Sequence, residues 1–499
     1  MSPSLRRFLL RTSPLDRFDA SLADHVTQTT DSAETLAELE RTNAFLVPLE
    51  GRSRWYRYHH LFRDLLVTEL RRSEPSSEAL VQRRAAQWFV THDDPSAAIE
   101  YAHQAGDDDL VASLLVTSGM RQYRAGRLTT LDRWFGWFAV EGLAGSPALA
   151  ILGAWIWALS GRTGRAERWE DALRPHVDAL DPYLRAVYAT LRSVTGRMSW
   201  DAQAAEARIA MDGLPDGDVW RASAFVGGGI HELLHGDLTA GDVLLARAVD
   251  IGVENHAIPA TSAALGFRAQ VAIARGDWDH AEELVRDAAS LIADERLEHY
   301  ATSAIAFATR ARIAIHRGAH DAAQRDIALL QRLRPGLTAA IPYLAVRVRL
   351  ELAQAYLELG EVAGARLMLS EAADVVAVRP GVAALADEVS ALRARAGQPR
   401  GGIGVASLTT AELRLLGYMP SHLTFREIAS RLFVSVNTVK TQAISTYTKL
   451  GVSSRSAAVD AAVEAGLLDR AITRFPVAGP DIDLDRLTHA TTSRVAPAR

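Results

Sequence analysis

Seven glycines, Gly126, Gly161, Gly196, Gly236, Gly276, Gly318 and Gly360, recur at separations of 35, 35, 40, 40, 42 and 42 residues. Between them small and apolar residues return at i, i+3 and i+4 steps, as in Trp278, Ala281, Leu284 and Ala288 after Gly276, or Ala365, Leu369 and Ala372 after Gly360. That step is the period of an amphipathic helix. A helix pair of this length cannot bury its apolar stripe alone, so the recurrence predicts a solenoid of stacked helical hairpins between about residues 98 and 376.

Composition fits such a body and limits what else the chain can be. At 499 residues it exceeds one compact core, and 48% hydrophobic with 23% charged residues gives several domains enough apolar surface to bury. The absence of cysteine rules out a disulfide framework and a thiolate metal site, which fits the reducing cytoplasm. Met1 to Thr12 carries Arg6, Arg7 and Arg11 without the apolar stretch of a signal peptide. The most apolar run, Ala148 to Leu159, falls short of the ~20 residues a membrane span requires and reads as a buried helix. A cytoplasmic protein with no membrane partner is expected. The net charge of −5 means that any nucleic-acid site must be local.

The fold class expected is mainly α, in five parts. Residues 1–72 read as a winged helix: helices near Ser4–Leu10, Ser21–Val26 and Ser32–Thr42 precede β-prone runs at Phe45–Leu49 and Trp55–Tyr58, joined through Glu50-Gly51-Arg52-Ser53. Helical repeats follow over 73–395. Residues 396–407, with four glycines and a proline, form a linker; residues 408–470 form a four-helix domain; residues 471–499 form a flexible tail.

Residues 408–470 carry the strongest chemical signal. Thr409 with Glu412, and Thr424 with Glu427, have the spacing of a capping box and fix two helix starts. A short helix over about Phe425–Leu432 precedes a tight turn at Phe433-Val434, and Ser435 suits the N-cap of a third helix. In that helix Val439, Ala443, Thr446 and Leu450 form one stripe, which directs Asn437, Lys440, Thr441, Ile444, Ser445 and Thr448 to the other side. This is the pattern of a helix-turn-helix whose recognition helix enters the DNA major groove. Arg414, Arg426, Arg431, Lys440, Lys449 and Arg455 outnumber Glu412, Glu427 and Asp460 by three over residues 408–460, opposite in sign to the whole chain. The residues expected at the DNA are Thr424, Arg426, Ser435, Asn437, Thr438, Lys440, Thr441, Ile444, Ser445, Lys449 and Arg455. The partner is double-stranded DNA.

The segments from Phe425 through Gln442 and from Lys449 through Val459 resemble the LuxR-type signature. The resemblance implies binding as a homodimer on paired half-sites, with Lys440 and Thr441 in the groove and the helix from Ser454 to Ala465 at the dimer face. Two positions depart from the family pattern: Thr446 replaces an apolar residue, and Thr448 stands where arginine is common. At the other end, Phe8 to Ser13, Phe45 to Leu49 and Trp55 to Phe62 resemble the winged-helix module of large STAND-class LuxR regulators of the maltose-regulon-activator type. In those, an ATPase domain precedes the winged helix, tetratricopeptide-like helical repeats and the DNA-binding domain. This sequence contains no G-x-x-x-x-G-K-[ST] phosphate loop, so no ATPase activity of its own and no cofactor are expected. His59 aligns with the family histidine associated with bound ADP; beside Tyr58 and Phe62, a packed wing histidine is the preferred reading.

One motif points elsewhere. His231-Glu232-Leu233-Leu234-His235 matches H-E-x-x-H, which on a helix offers two imidazoles and a carboxylate to zinc. Thr239 and Asp242 break its extended form, leaving Glu254 as a distant third-ligand candidate, and the register already ends this helix at Gly236. A coincidental match within a repeat helix is preferred, with no metal and no catalytic residue assigned. Trp134, Trp137, Trp155 and Trp157 read as repeat-core aromatics rather than a base-stacking platform. The resulting expectation is a transcriptional regulator controlled through its repeats by a small-molecule or protein effector. The alternative is a helical-repeat scaffold working with a separate ATPase chain.

Overall fold

The computed structural model describes residues 2–42, 45–49, 54–397, 408–421, 423–432, 434–464 and 468. The turn expected at 50–53, Phe433, residues 398–407 of the linker and the 471–499 tail lie outside the described residues. The chain divides into two compact units, one ending at Leu191 and the other beginning at Arg192.

The first unit opens with α1 (Pro3–Thr12), α2 (Ala20–Thr27), α3 (Ser32–Arg41), β1 (Leu46–Leu49), β2 (Trp55–Tyr58) and α4 (His60–Ser73). β1 and β2 pair antiparallel, with Leu46 opposite Tyr58 and Pro48 opposite Tyr56. The backbone N–H and C=O of Tyr56 both turn away from β1 to bond Phe18, at 2.8 and 2.9 Å. Pro48 thus faces a position where its missing N–H costs no ladder bond. Phe18, Leu15, Leu22, Leu36, Tyr56 and Tyr58 fill the core, and the Tyr58 hydroxyl lies 2.7 Å from Thr12 Oγ1.

Helical hairpins follow in the first unit: α5 (Ser77–Thr91) with α6 (Pro95–Gln104), α7 (Asp108–Arg124) with α8 (Leu128–Phe135), and α9 (Pro147–Leu159) with α10 (Thr163–Leu173). Every residue of α9 from Leu149 to Leu159 is buried, as expected of its apolar run. Trp134, Trp155 and Trp157 are buried too, while Trp137 stacks on His103 at 3.6 Å. The next helix, α11 (Pro182–Val194), crosses the boundary.

The second unit continues with α12 (Trp200–Gly213), α13 (Val219–His235), α14 (Leu238–Glu254), α15 (Ile258–Ala274), α16 (Trp278–Asp294), α17 (Ala304–His316), α18 (His320–Leu333), α19 (Pro342–Glu358), α20 (Val362–Val378) and α21 (Ala386–Gly397). All seven periodic glycines have positive φ, between 65° and 87°, and each stands in a turn between two helices. At Gly276 the reason is visible: its N–H donates to Ile273 O and that of Asp277 to Ala272 O, a closing pattern that needs a left-handed residue. Asp277 then caps α16 through the His280 N–H. Gly236-Asp237 does the same before α14.

Neighbouring hairpins are joined by half-buried arginines. Arg312 of α17 and Arg347 both reach the fully buried Glu351 of α19, and Arg347 also bonds Glu388 of α21. One feature departs from a simple neighbour-to-neighbour stack. The Gly381 N–H donates to Gly196 O, and a Cβ added to Gly196 would fall 2.4 Å from Pro342 of α19. The last hairpins therefore return to the turn that precedes α12, which lies 146 residues before Pro342 and 185 before Gly381. The remaining helices are α22 (Thr410–Tyr418), α23 (Phe425–Arg431), α24 (Val436–Leu450) and α25 (Arg455–Glu464).

Candidate nucleic-acid interface

Both expected capping boxes form. The Thr409 N–H donates to Glu412 Oε2 at 2.7 Å and the Glu412 N–H returns to Thr409 Oγ1; Thr424 and Glu427 repeat the arrangement at the start of α23. Ser435 accepts from the Thr438 N–H at 3.0 Å and starts α24, and Gly451, with φ +70°, ends it. Thr424 and Ser435 are thus helix caps on the exposed side of the domain.

The core stripe of α24 is Val439, Ala443 and Thr446, all buried, packed with Leu415, Leu416, Ile428 and Ala458. Thr446 occupies an apolar site at no donor penalty because its hydroxyl donates to Gln442 O at 2.8 Å. Asn437, Thr438, Lys440, Thr441, Ile444 and Thr448 are exposed on the opposite side, and Arg426 is exposed at the first turn of α23.

Three other predicted residues turn their polar ends inward. Lys449 Nζ lies 2.6 Å from Glu412 Oε2, and Ser445 Oγ donates to Glu412 Oε1 at 2.6 Å. Glu412 thereby joins the start of α22 to the last turns of α24. Burial works to raise its carboxyl, but Lys449, Ser445 and the Thr409 N–H outweigh that and hold it below the usual carboxylate range. Arg455 spreads its guanidinium over four carbonyls, those of Met419, Leu423, Ser421 and Tyr418, at 2.6 to 3.2 Å. It therefore clamps the segment between α22 and α23. A charge count cannot reveal these roles, since the partners lie more than 30 residues away in sequence.

The remaining sequence candidates are placed as follows. His231 is buried and its Nε2 lies 3.0 Å from Ser193 O, while the Trp200 indole contacts both the His231 and His235 rings. Among the described residues no group of three His, Asp or Glu side chains is set to hold a metal ion. Burial pushes the His231 imidazole below the usual histidine range against the bond to Ser193. His59 differs from its expected packing: it is exposed and lies against His60 at 4.3 Å, while Phe62 packs on Tyr58 and Phe45 instead. Phe45 takes the position beside Phe62 that His59 was expected to fill. No described helix is long and apolar enough to cross a membrane.

Winged helix, helical hairpins and a capped helix-turn-helix follow one another along the chain, and comparison with known families gives each end a type. Residues 406–462 match the family model of bacterial regulatory proteins of the luxR family. Residues 1–78 match the MalT winged helix domain. Among curated proteins, the chain is 27% identical over 302 residues to the HTH-type transcriptional regulator MalT of Vibrio parahaemolyticus, covering 59% of this chain and 33% of that protein. It is 34% identical over 151 residues to MalT of Vibrio cholerae, covering 30% of this chain and 17% of that protein. The chain thus spans about a third of the length of the first of these relatives. Among solved structures, a STAND protein with a tetratricopeptide repeat sensor from Pyrococcus horikoshii matches with a TM-score of 0.52 at 12% identity, over 80% of this chain and 61% of that one. This likeness shows the fold. The chain therefore resembles the MalT winged helix domain at its first residues and the luxR family at its C-terminal domain.

Proposed function

We propose that the chain is a DNA-binding transcriptional regulator acting in the cytoplasm, not an enzyme, with α24 seated in the major groove. The observation that carries this reading is the exposed row of Asn437, Lys440 and Thr441 on a helix whose other side is anchored in the domain core. An α-helix fits the major groove, and its first turns reach base edges while a cation holds a phosphate. Arg426 and Thr438 lie at the exposed starts of the two helices, where they face the flanking backbone. Ser445, Lys449 and Arg455 serve the scaffold, their polar groups being engaged within it.

The resemblance to luxR regulators supports two further parts of the proposal: a homodimer on paired half-sites, joined through α25, and control of the domain through the repeats by a protein or small-molecule effector. The test is selection of genomic fragments by the full chain, followed by anisotropy titration of the recovered duplex. Enrichment of one sequence with paired half-sites is expected. Recovery of no preferred sequence by the native chain would remove the reading.

A further inference from the structure

The exposed side of α24 changes character along its length. Asn437 and Lys440 bring an amide and an ammonium group to its first half. Beyond them, Thr441 Oγ1 donates to Asn437 O, Thr448 Oγ1 to Ile444 O, and both Ser445 and Lys449 to Glu412. Ile444 stands among them, 64% exposed in an otherwise polar row. The edges of base pairs in the major groove present donors, acceptors and one apolar group, the thymine C5-methyl.

We infer that Ile444 is a specificity-determining residue that packs against a thymine methyl group. This rests on the DNA reading above and adds to it the identity of a base. Ile444 sits four residues from Lys440, about 6 Å along the axis at a rise of about 1.5 Å per residue. Base pairs step by about 3.4 Å, so the methyl group belongs one or two pairs from the pair that Lys440 faces. The C-terminal half of the exposed row reads shape and apolar surface, since its hydroxyl protons are already committed to the helix.

The test uses the full chain and the duplex recovered by fragment selection, with each thymine replaced in turn by deoxyuridine, which removes only the methyl group. Replacement at one position per half-site weakens binding by the native chain about fourfold, the transfer value of one methyl group. Ile444→Ala binds the thymine and deoxyuridine duplexes equally, and its thermal unfolding matches that of the native chain because the side chain is exposed. Unchanged affinity at every replaced thymine overturns the inference while leaving DNA binding intact, as does a methyl dependence that Ile444→Ala retains. Recovery of no preferred fragment overturns the DNA reading itself, and this inference with it.

Discussion

Replacing Arg455 with alanine separates a scaffold role from a DNA contact. The guanidinium donates to four carbonyls between Tyr418 and Leu423, a segment that sets where α23 begins. Hydrogen bonds to a charged group contribute about 1.5–3 kcal/mol each, but carbonyls regain water once a half-buried guanidinium leaves. The net cost of Arg455→Ala is therefore about 2–4 kcal/mol of local stability rather than the sum of four bonds. Hydrogen exchange of the full chain, read by mass spectrometry over peptides covering 418–424, measures it directly. Where exchange reports the opening equilibrium, the amides there accelerate about 30- to 1000-fold, at about 1.4 kcal/mol per tenfold. Arg455→Lys recovers only part of the protection, because an ammonium cannot span four acceptors in a fork. Exchange within threefold of native in Arg455→Ala would refute the clamp and return Arg455 to the phosphate-binding set.

Three further perturbations test other links. Glu412 is held below the usual carboxylate range, so its contribution to stability is complete above its unfolded value near 4.5 and lost as pH falls through its lower folded value. Thermal unfolding of the C-terminal domain should weaken in acid, and Glu412→Gln should remove that part of the pH dependence; an unchanged profile contradicts the assignment. His231 is held below its ordinary 6.5, so its contribution is present above that value and declines as pH falls through the lower folded one. His231→Gln should flatten the acid limb of unfolding of the repeats, and a steeper limb would be inconsistent with a buried neutral ring. Gly276→Ala meets no atom within 4 Å but keeps φ at +81°, so denaturant titration should show a loss of about 1–2 kcal/mol from backbone strain alone. No loss would mean that the turn relaxes.

The repeats were legible in the sequence because each hairpin needs a left-handed residue at its turn, and glycine supplies it at nearly regular intervals. Helix starts in the C-terminal domain were legible for the same kind of local reason: Thr409, Thr424 and Ser435 act on amides three residues away. What escaped was non-local. Ser445 and Lys449 fall on the polar part of the α24 surface, yet Glu412 reaches them from the start of α22. The return of the last hairpins to Gly196 depends on accumulated small rotations between repeats, which no single motif encodes. The exposure of His59 is not legible in the sequence either: Phe45, left-handed at φ +56° where the chain enters β1, is the ring that stacks on Phe62.

The central claim, that the outer face of α24 binds DNA while Lys449 holds the domain together, is tested most directly by salt-dependent anisotropy on the recovered duplex. The native chain is compared with Lys440→Ala and with Lys449→Gln, which keeps a donor toward Glu412. The slope of log affinity against log salt should lose about 0.9 per Lys440 removed, one phosphate contact each, and stay at the native value in Lys449→Gln. Equal loss of slope in both variants, or loss in Lys449→Gln alone, would contradict the account.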